Sequence, residues 1–126
     1  MRYNIEKHEK YTLLSLNEDR VDSLISPQLK SEFVTLFQSG TNNLILDLKE
    51  VKYVDSSGLS AILVANRLTE NNDGILVLTS VSDFVLKLLT ISRLNDVLNV
   101  MLSVPEAVDA VFMHELEKDI RDGDND

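Results

Sequence analysis

The stretch Val54-Asp55-Ser56-Ser57-Gly58-Leu59 lies between two apolar runs of different character. The run before it, Leu44-Ile45-Leu46-Asp47-Leu48, is short and apolar on both faces until Asp47, which is typical of a strand buried in a sheet. The run after it, residues 59–68, is apolar nearly all round at its start, as in a buried helix. The sequence therefore predicts a strand, a short polar junction and a helix over residues 58–71.

The polar residues of this junction fit the start of a helix. The first N–H groups of a helix lack intrahelical partners, and Asp or Ser side chains can accept from them. Gly58 removes a side chain where a tight entry or a close-approaching group would be crowded. Helix capping alone would explain one polar side chain, but two adjacent serines leave at least one hydroxyl free. We expect that hydroxyl at the positive end of a helix dipole, which also favours a phosphate group.

The remaining elements follow from periodicity and turn residues. Strands are predicted at 3–8, 11–17, 43–48, 75–78 and 97–101, with the first two joined as a hairpin and the last at a sheet edge. Ser26 as N-cap and Pro27 predict a helix that ends at Gly40, and two more helices follow Ser82 or Asp83 and the Ser103–Glu106 capping box. The order ββαβαβαβα predicts an α/β fold, a mixed central β-sheet with helices packed mainly on one side. One domain is expected over residues 1–118, followed by an acidic, disordered tail at 119–126.

Composition narrows the functional classes. The chain has 126 residues, no cysteine and a net charge of −9, of which residues 106–126 contribute −6 from eight acids and two bases. Such a balance disfavours binding to nucleic acid or to an anionic membrane. No apolar run approaches the ~20 residues that cross a bilayer, and residues 1–6 lack the apolar region of a secretory signal, so we expect a cytoplasmic protein.

Catalytic patterns are missing from the sequence. The two histidines, His8 on the hairpin and His114 on the last helix, have no fixed relation to Ser56 or Ser57. No phosphate-binding loop, dinucleotide-binding glycine pattern or metal-ligand spacing occurs. We therefore expect no enzyme, no cofactor and no metal.

The junction and its flanking runs resemble one known family. Leu46-Asp47-Leu48, then Val54-Asp55-Ser56-Ser57-Gly58-Leu59, then an apolar helix ending at Asn71-Asn72-Asp73-Gly74 are similar to the STAS domains. Among these, the chain resembles the small stand-alone anti-sigma factor antagonists of bacteria, with the same element order over residues 3–115. The resemblance implies a partner-switching regulator.

In such antagonists the serine directly after the aspartate, here Ser56, is phosphorylated by a kinase that is also the anti-sigma factor. The unphosphorylated form binds this kinase, the phosphorylated form is released, and a phosphatase resets it. The implied partner-binding residues are Asp22, Asp55, Ser56, Ser57, Gly58 and Leu59. Asp22 stands for an aspartate in a family turn that here lacks its glycine and is longer by one residue.

Two alternatives remain open at this point. A STAS subunit that regulates a transporter, such as a lipid-transport ATPase, would use the same surface without phosphorylation. A small hydrolase would use Ser57 as its nucleophile.

Overall fold

The computed structural model describes residues 1–123 and has a five-stranded mixed sheet at its centre. The strand order is β1-β2-β4-β6-β7; β1 and β2 pair antiparallel, and every other neighbouring pair is parallel. The elements are β1 (Tyr3–Lys7), β2 (Thr12–Leu16), β3 (Arg20–Val21), α1 (Ser26–Gln38), β4 (Leu44–Asp47), β5 (Tyr53–Val54), α2 (Ser56–Asn71), β6 (Leu76–Thr79), α3 (Asp83–Ile91), β7 (Asn99–Met101) and α4 (Val104–Gly123). The predicted fold class, the hairpin and the edge position of the last strand are confirmed.

The register of the strands builds two apolar layers, one on each face of the sheet. Neighbouring side chains in β2, β4 and β6 lie level with one another, because Leu14 pairs with Leu46 and Leu46 with Leu78. These three leucines belong to the larger core, which also contains buried residues of α1, α2 and α3. The alternate row, Leu13, Ile45 and Val77, packs instead against Ala107 and Val111 of α4. Three helices therefore cover one face and α4 covers the other, as period-2 alternation requires.

A second, two-stranded sheet was not predicted. No strand was predicted between the hairpin and the first helix, but Arg20 and Val21 pair in parallel with Tyr53 and Val54. Two-residue strands carry too little alternation to be recognised in a sequence. This pairing connects the loop after β2 to β5, the strand that leads into α2. The loop is therefore held beside the start of that helix.

The starts of two helices differ from the predictions. Helix α2 begins at Ser56, two residues earlier than expected, with Asp55 as its N-cap. The prediction that Ser26 caps α1 was wrong: Ser26 is inside the helix, Ile25 is the N-cap, and no side-chain cap is formed. The Ser26 hydroxyl donates instead to the Asp22 carbonyl (2.8 Å), because a turn over residues 22–25 precedes the helix.

Helix α4 continues to Gly123, five residues beyond the boundary predicted for the disordered tail. Arg121 of this extension forms an ion pair with Asp73, which lies in the turn after α2, at 2.7 Å. An outward-facing pair of this kind gives a helix end a partner without burying an apolar surface, which the prediction did not consider. Residues 124–126 of the predicted tail lie outside the described part of the chain. Within residues 1–123, no helix has the length and apolar character to cross a membrane.

Candidate functional site

The site is the junction between β5 and α2, and Asp55 performs its capping. Asp55 has an extended backbone (φ −99°, ψ −173°), and its Oδ1 accepts a hydrogen bond from the Gly58 N–H at 2.9 Å. Its own N–H donates to the Val21 carbonyl of β3 at 3.2 Å. A cap of this kind contributes ~1 kcal/mol to helix stability. Since the aspartate provides the side-chain cap, neither serine is needed for that purpose.

Gly58 allows the backbone of β3 to lie directly against the first turn of α2. A Cβ atom at this position would be 2.2 Å from the Val21 carbonyl oxygen and 2.7 Å from Cγ1 of Val54. Any side chain would therefore push β3 away from the helix. The close-approaching group that the sequence left unspecified is a neighbouring strand of the same chain.

The two serines differ in exposure. Ser56, the first residue of α2, is exposed, whereas Ser57 is half-buried. Both line a cleft of about 290 Å³ between the first turns of α1 and α2. The remaining lining residues are Ser23, Ser26, Pro27, Lys30 and Ser60. The hydroxyl predicted to be free is thus open to solvent at the start of a 16-residue helix.

The structure brings the loop that contains Asp22 to the same edge of the molecule. Asp22 directly follows Val21, whose carbonyl contacts the α2 junction. The Asp22 carboxylate accepts from the Leu24 N–H at 3.0 Å, and its carbonyl accepts from the N–H groups of Ile25 and Ser26. Asp22 therefore orders the turn that leads into α1, next to the serine cleft.

The apolar start of α2 belongs to the core and is not a docking surface. Leu59 is half-buried against the core, and Ala61, Ile62 and Ala65 are fully buried. Exposed apolar groups of the neighbouring elements include Tyr53 of β5 (40%) and Phe84 of α3 (50%), whose rings stack at a centroid distance of 5.5 Å. The Arg20 guanidinium lies 5.3 Å from the centre of the Tyr53 ring. Sequence reasoning missed this cluster because its members come from three separate elements.

The histidines lie far from the serines. His114 contacts the Asp73 carbonyl at 3.1 Å, in the turn after α2, and His8 stacks on Tyr11 in the hairpin. Helix α2 alone separates that turn from Ser56 by about 24 Å, at 1.5 Å per residue. No histidine lines the serine cleft in the part of the chain that the structure describes. This geometry gives a serine nucleophile no histidine base.

Within residues 1–123 no cluster of three acidic or histidine side chains is placed to hold a metal.

These observations agree with a comparison to known proteins. The STAS domain profile matches residues 2–107, so the chain belongs to the STAS domain family. Curated relatives include the anti-sigma-B factor antagonist of Staphylococcus aureus, 30% identical over 80 residues that make up 64% of this chain and 74% of the relative. The antagonist of the same name from Bacillus subtilis is 26% identical over 101 residues, 79% of this chain and 92% of the relative.

Solved structures share the fold. An anti-sigma factor antagonist (STAS) domain protein from Planctomyces limnophilus superposes with a TM-score of 0.79, at 19% identity, over 86% of this chain and 97% of that one. At this identity the likeness supports the fold assignment alone.

Proposed function

We propose that this chain is an anti-sigma factor antagonist that works by partner switching. In its unmodified form it binds an anti-sigma factor that is also a serine kinase, and so releases a sigma factor. The kinase transfers the γ-phosphoryl group of ATP to the Ser56 hydroxyl, ADP leaves, and the modified chain dissociates. A phosphatase restores the hydroxyl. Both reactions take place in the cytoplasm, where the kinase has ATP.

One observation carries the proposal: the structural tasks of the junction are performed by other residues, and the Ser56 hydroxyl is left exposed. Asp55 caps α2, and Gly58 admits the backbone of β3. Ser56 is the first helical residue and is exposed. A kinase can therefore reach its hydroxyl without unfolding the junction.

The charge of a phosphate explains why the modified form would leave its partner. Phosphorylation adds about −1.5 to −2 charges at one point. N–H groups at the start of α2 tolerate this charge in the free protein. An apolar or acidic partner surface pressed against the phosphate and Asp55 would not, because the charges would lose water without gaining a cation. A loss of ~3 kcal/mol weakens binding more than a hundredfold, which suffices for a switch.

The cluster formed by Arg20, Tyr53 and Phe84 supports protein binding rather than catalysis. Aromatic residues and arginine are enriched in the centres of protein interfaces, where large rings bury apolar area with little loss of side-chain entropy. Tyr53 is three residues before Ser56, so a partner seated on these rings would also cover the hydroxyl. The proposed contact surface thus combines an apolar anchor with a modifiable group.

The test uses the cognate kinase of the anti-sigma class, recovered by affinity capture from the source organism and identified by mass spectrometry. The purified pair is incubated with ATP, and the modified residue is mapped by mass spectrometry. Binding of wild type, Ser56→Ala, Ser56→Asp and Ser57→Ala to the kinase is measured by calorimetry without ATP. Ser57→Ala is the matched control, since it removes the neighbouring hydroxyl.

We expect Ser56→Ala to bind like wild type but take up no phosphate, and Ser57→Ala to be phosphorylated normally. Ser56→Asp should bind at least about tenfold more weakly, because a single negative charge reproduces part of the phosphate's effect. Phosphate mapped to Ser57, or unchanged affinity of Ser56→Asp, would contradict the mechanism.

A further inference from the structure

The cleft beside Ser56 is lined by one lysine side chain, Lys30, whose charge has no role in the switch proposed above. Its lining comes from the turn before α1 and from the first turns of α1 and α2. Among these residues, all within the described range 1–123, Lys30 is the only one with a charge.

The spacing on both helices directs Lys30 toward the hydroxyl. Ser26 and Lys30 are four residues apart on α1, and Ser56 and Ser60 are four apart on α2, so each pair lies on one face of its helix. Both helices present their N-terminal turns to the cleft. Long side chains in a helix lean toward its N-terminus. The stem of Lys30 therefore runs toward the end of α1 that lies beside Ser56.

The acidic groups nearby do not neutralise this lysine. Lys30 is half-buried and takes part in no ion pair within residues 1–123. The Asp55 carboxylate accepts from the Gly58 N–H, the Asp22 carboxylate accepts from the Leu24 N–H, and neither residue lines the cleft. The ammonium is thus available for an anion that enters the cleft.

We propose that Lys30 binds the phosphate that phosphorylation places on Ser56, drawing it into the cleft between α1 and α2. This inference rests on the proposed function, since it assigns a binding site to the modified side chain. The hydroxyls of Ser23, Ser57 and Ser60 complete the donor set. Ser26 does not take part, because its proton is committed to the Asp22 carbonyl.

The consequence concerns the modified state of the protein. A phosphate paired with Lys30 is stabilised as the dianion, because a nearby cation favours the more charged form. The pair would also hold the phosphate against α1. A kinase that binds over Ser56 would contact the phosphate there. Lys30 is therefore a positioning residue of the switch, and it is not required for the unmodified form to bind.

The experiment installs phosphoserine at position 56 during translation, so that no kinase is needed. Phosphorus NMR then follows the second ionisation of the phosphate with pH in wild type, Lys30→Gln, Lys30→Arg and Lys7→Gln. Lys7→Gln is the matched control, because it removes the same charge from the exposed hairpin end of the sheet. Circular dichroism checks that each variant is folded.

The second pKa of phosphoserine is about 6, and we expect Lys30→Gln to raise it by roughly half a unit or more above wild type. Lys30→Arg should keep the wild-type value, and Lys7→Gln should change it by much less. Equal pKa values in wild type and Lys30→Gln, or an equal rise in Lys7→Gln, would overturn the inference.

Kinase binding by the phosphorylated wild type is measured separately. Undiminished binding would refute the proposed switch while leaving the NMR result for Lys30 intact. An unshifted pKa would refute the role of Lys30 alone.

Discussion

Replacing Gly58 by alanine tests the geometry on which the whole site depends. The new methyl group would lie 2.2 Å from the Val21 carbonyl oxygen and 2.7 Å from Val54 Cγ1, whereas ordinary contact begins at 3.4 Å. The carbonyl would have to retreat by about 1 Å, and overpacking against backbone costs ~1–3 kcal/mol. Alanine regains at most ~1 kcal/mol of helix propensity. Taking the upper end of the overpacking range, because a backbone carbonyl yields poorly, we expect a net loss of about 2 kcal/mol.

The measurement is the free energy of unfolding from urea titration, with Gly123→Ala as control. The same methyl group at Gly123 meets nothing within 4 Å, so its effect should stay within about 0.5 kcal/mol. Hydrogen exchange gives a local readout, since the Asp55 N–H donates to the displaced Val21 carbonyl and should exchange faster in Gly58→Ala. If Gly58→Ala is as stable as wild type, β3 does not lie against α2 as described, and the placement of Asp22 beside the site loses its basis.

Substitutions at three further positions separate the contributions of the cap, the exposed serine and the buried core to the stability of the same helix. Asp55→Ala should lower the free energy of unfolding by ~1 kcal/mol and Asp55→Asn by much less, because asparagine also caps; equal losses would show that the 2.9 Å bond to Gly58 is not the cause. Ser56→Ala should change stability by less than about 0.5 kcal/mol in the same titration, since its side chain is exposed, and a larger loss would mean that the hydroxyl is structural. Ile62→Val should lower the free energy of unfolding by about 0.5–1.5 kcal/mol, because Ile62 is fully buried on the inner face of α2. A neutral result would argue against that packing.

The main sheet was predictable because its strands have strong local signals. Residues 44–46 and 76–78 are apolar on both faces, and the structure buries them between α4 and the other three helices. Both faces of a parallel strand covered by helices must be apolar, so the sequence pattern and the packing have one cause.

The ends of helices were less predictable. The side chain of Ser26 could cap a helix, but its hydroxyl donates to the Asp22 carbonyl in the turn before α1. That turn depends on contacts outside the local sequence.

The residues of the candidate site also fall into two groups, those that the sequence indicated and those that it did not. Asp55, Ser56 and Gly58 were found because capping and a tight approach have known residue preferences. Lys30 and the Tyr53–Phe84 stack were missed, since Lys30 is 26 positions from Ser56 and Phe84 is 31 positions from Tyr53. Nothing local marks such residues as partners. Their proximity arises from the packing of α1 beside α2 and of α3 beside β5, which only the folded chain reveals.

The proposed switch at Ser56 needs a residue that contributes little to folding, and at this junction other residues perform the structural roles. The cap belongs to Asp55, the close approach to Gly58 and the core contacts to residues deeper in α2. If Ser56 were itself the cap, phosphorylation would remove an acceptor from the helix start and change stability together with binding. With Asp55 as the cap, adding a phosphate can alter the surface charge while the helix start stays intact. The order aspartate, serine, serine, glycine is therefore suited to a surface that changes its partner without changing its fold.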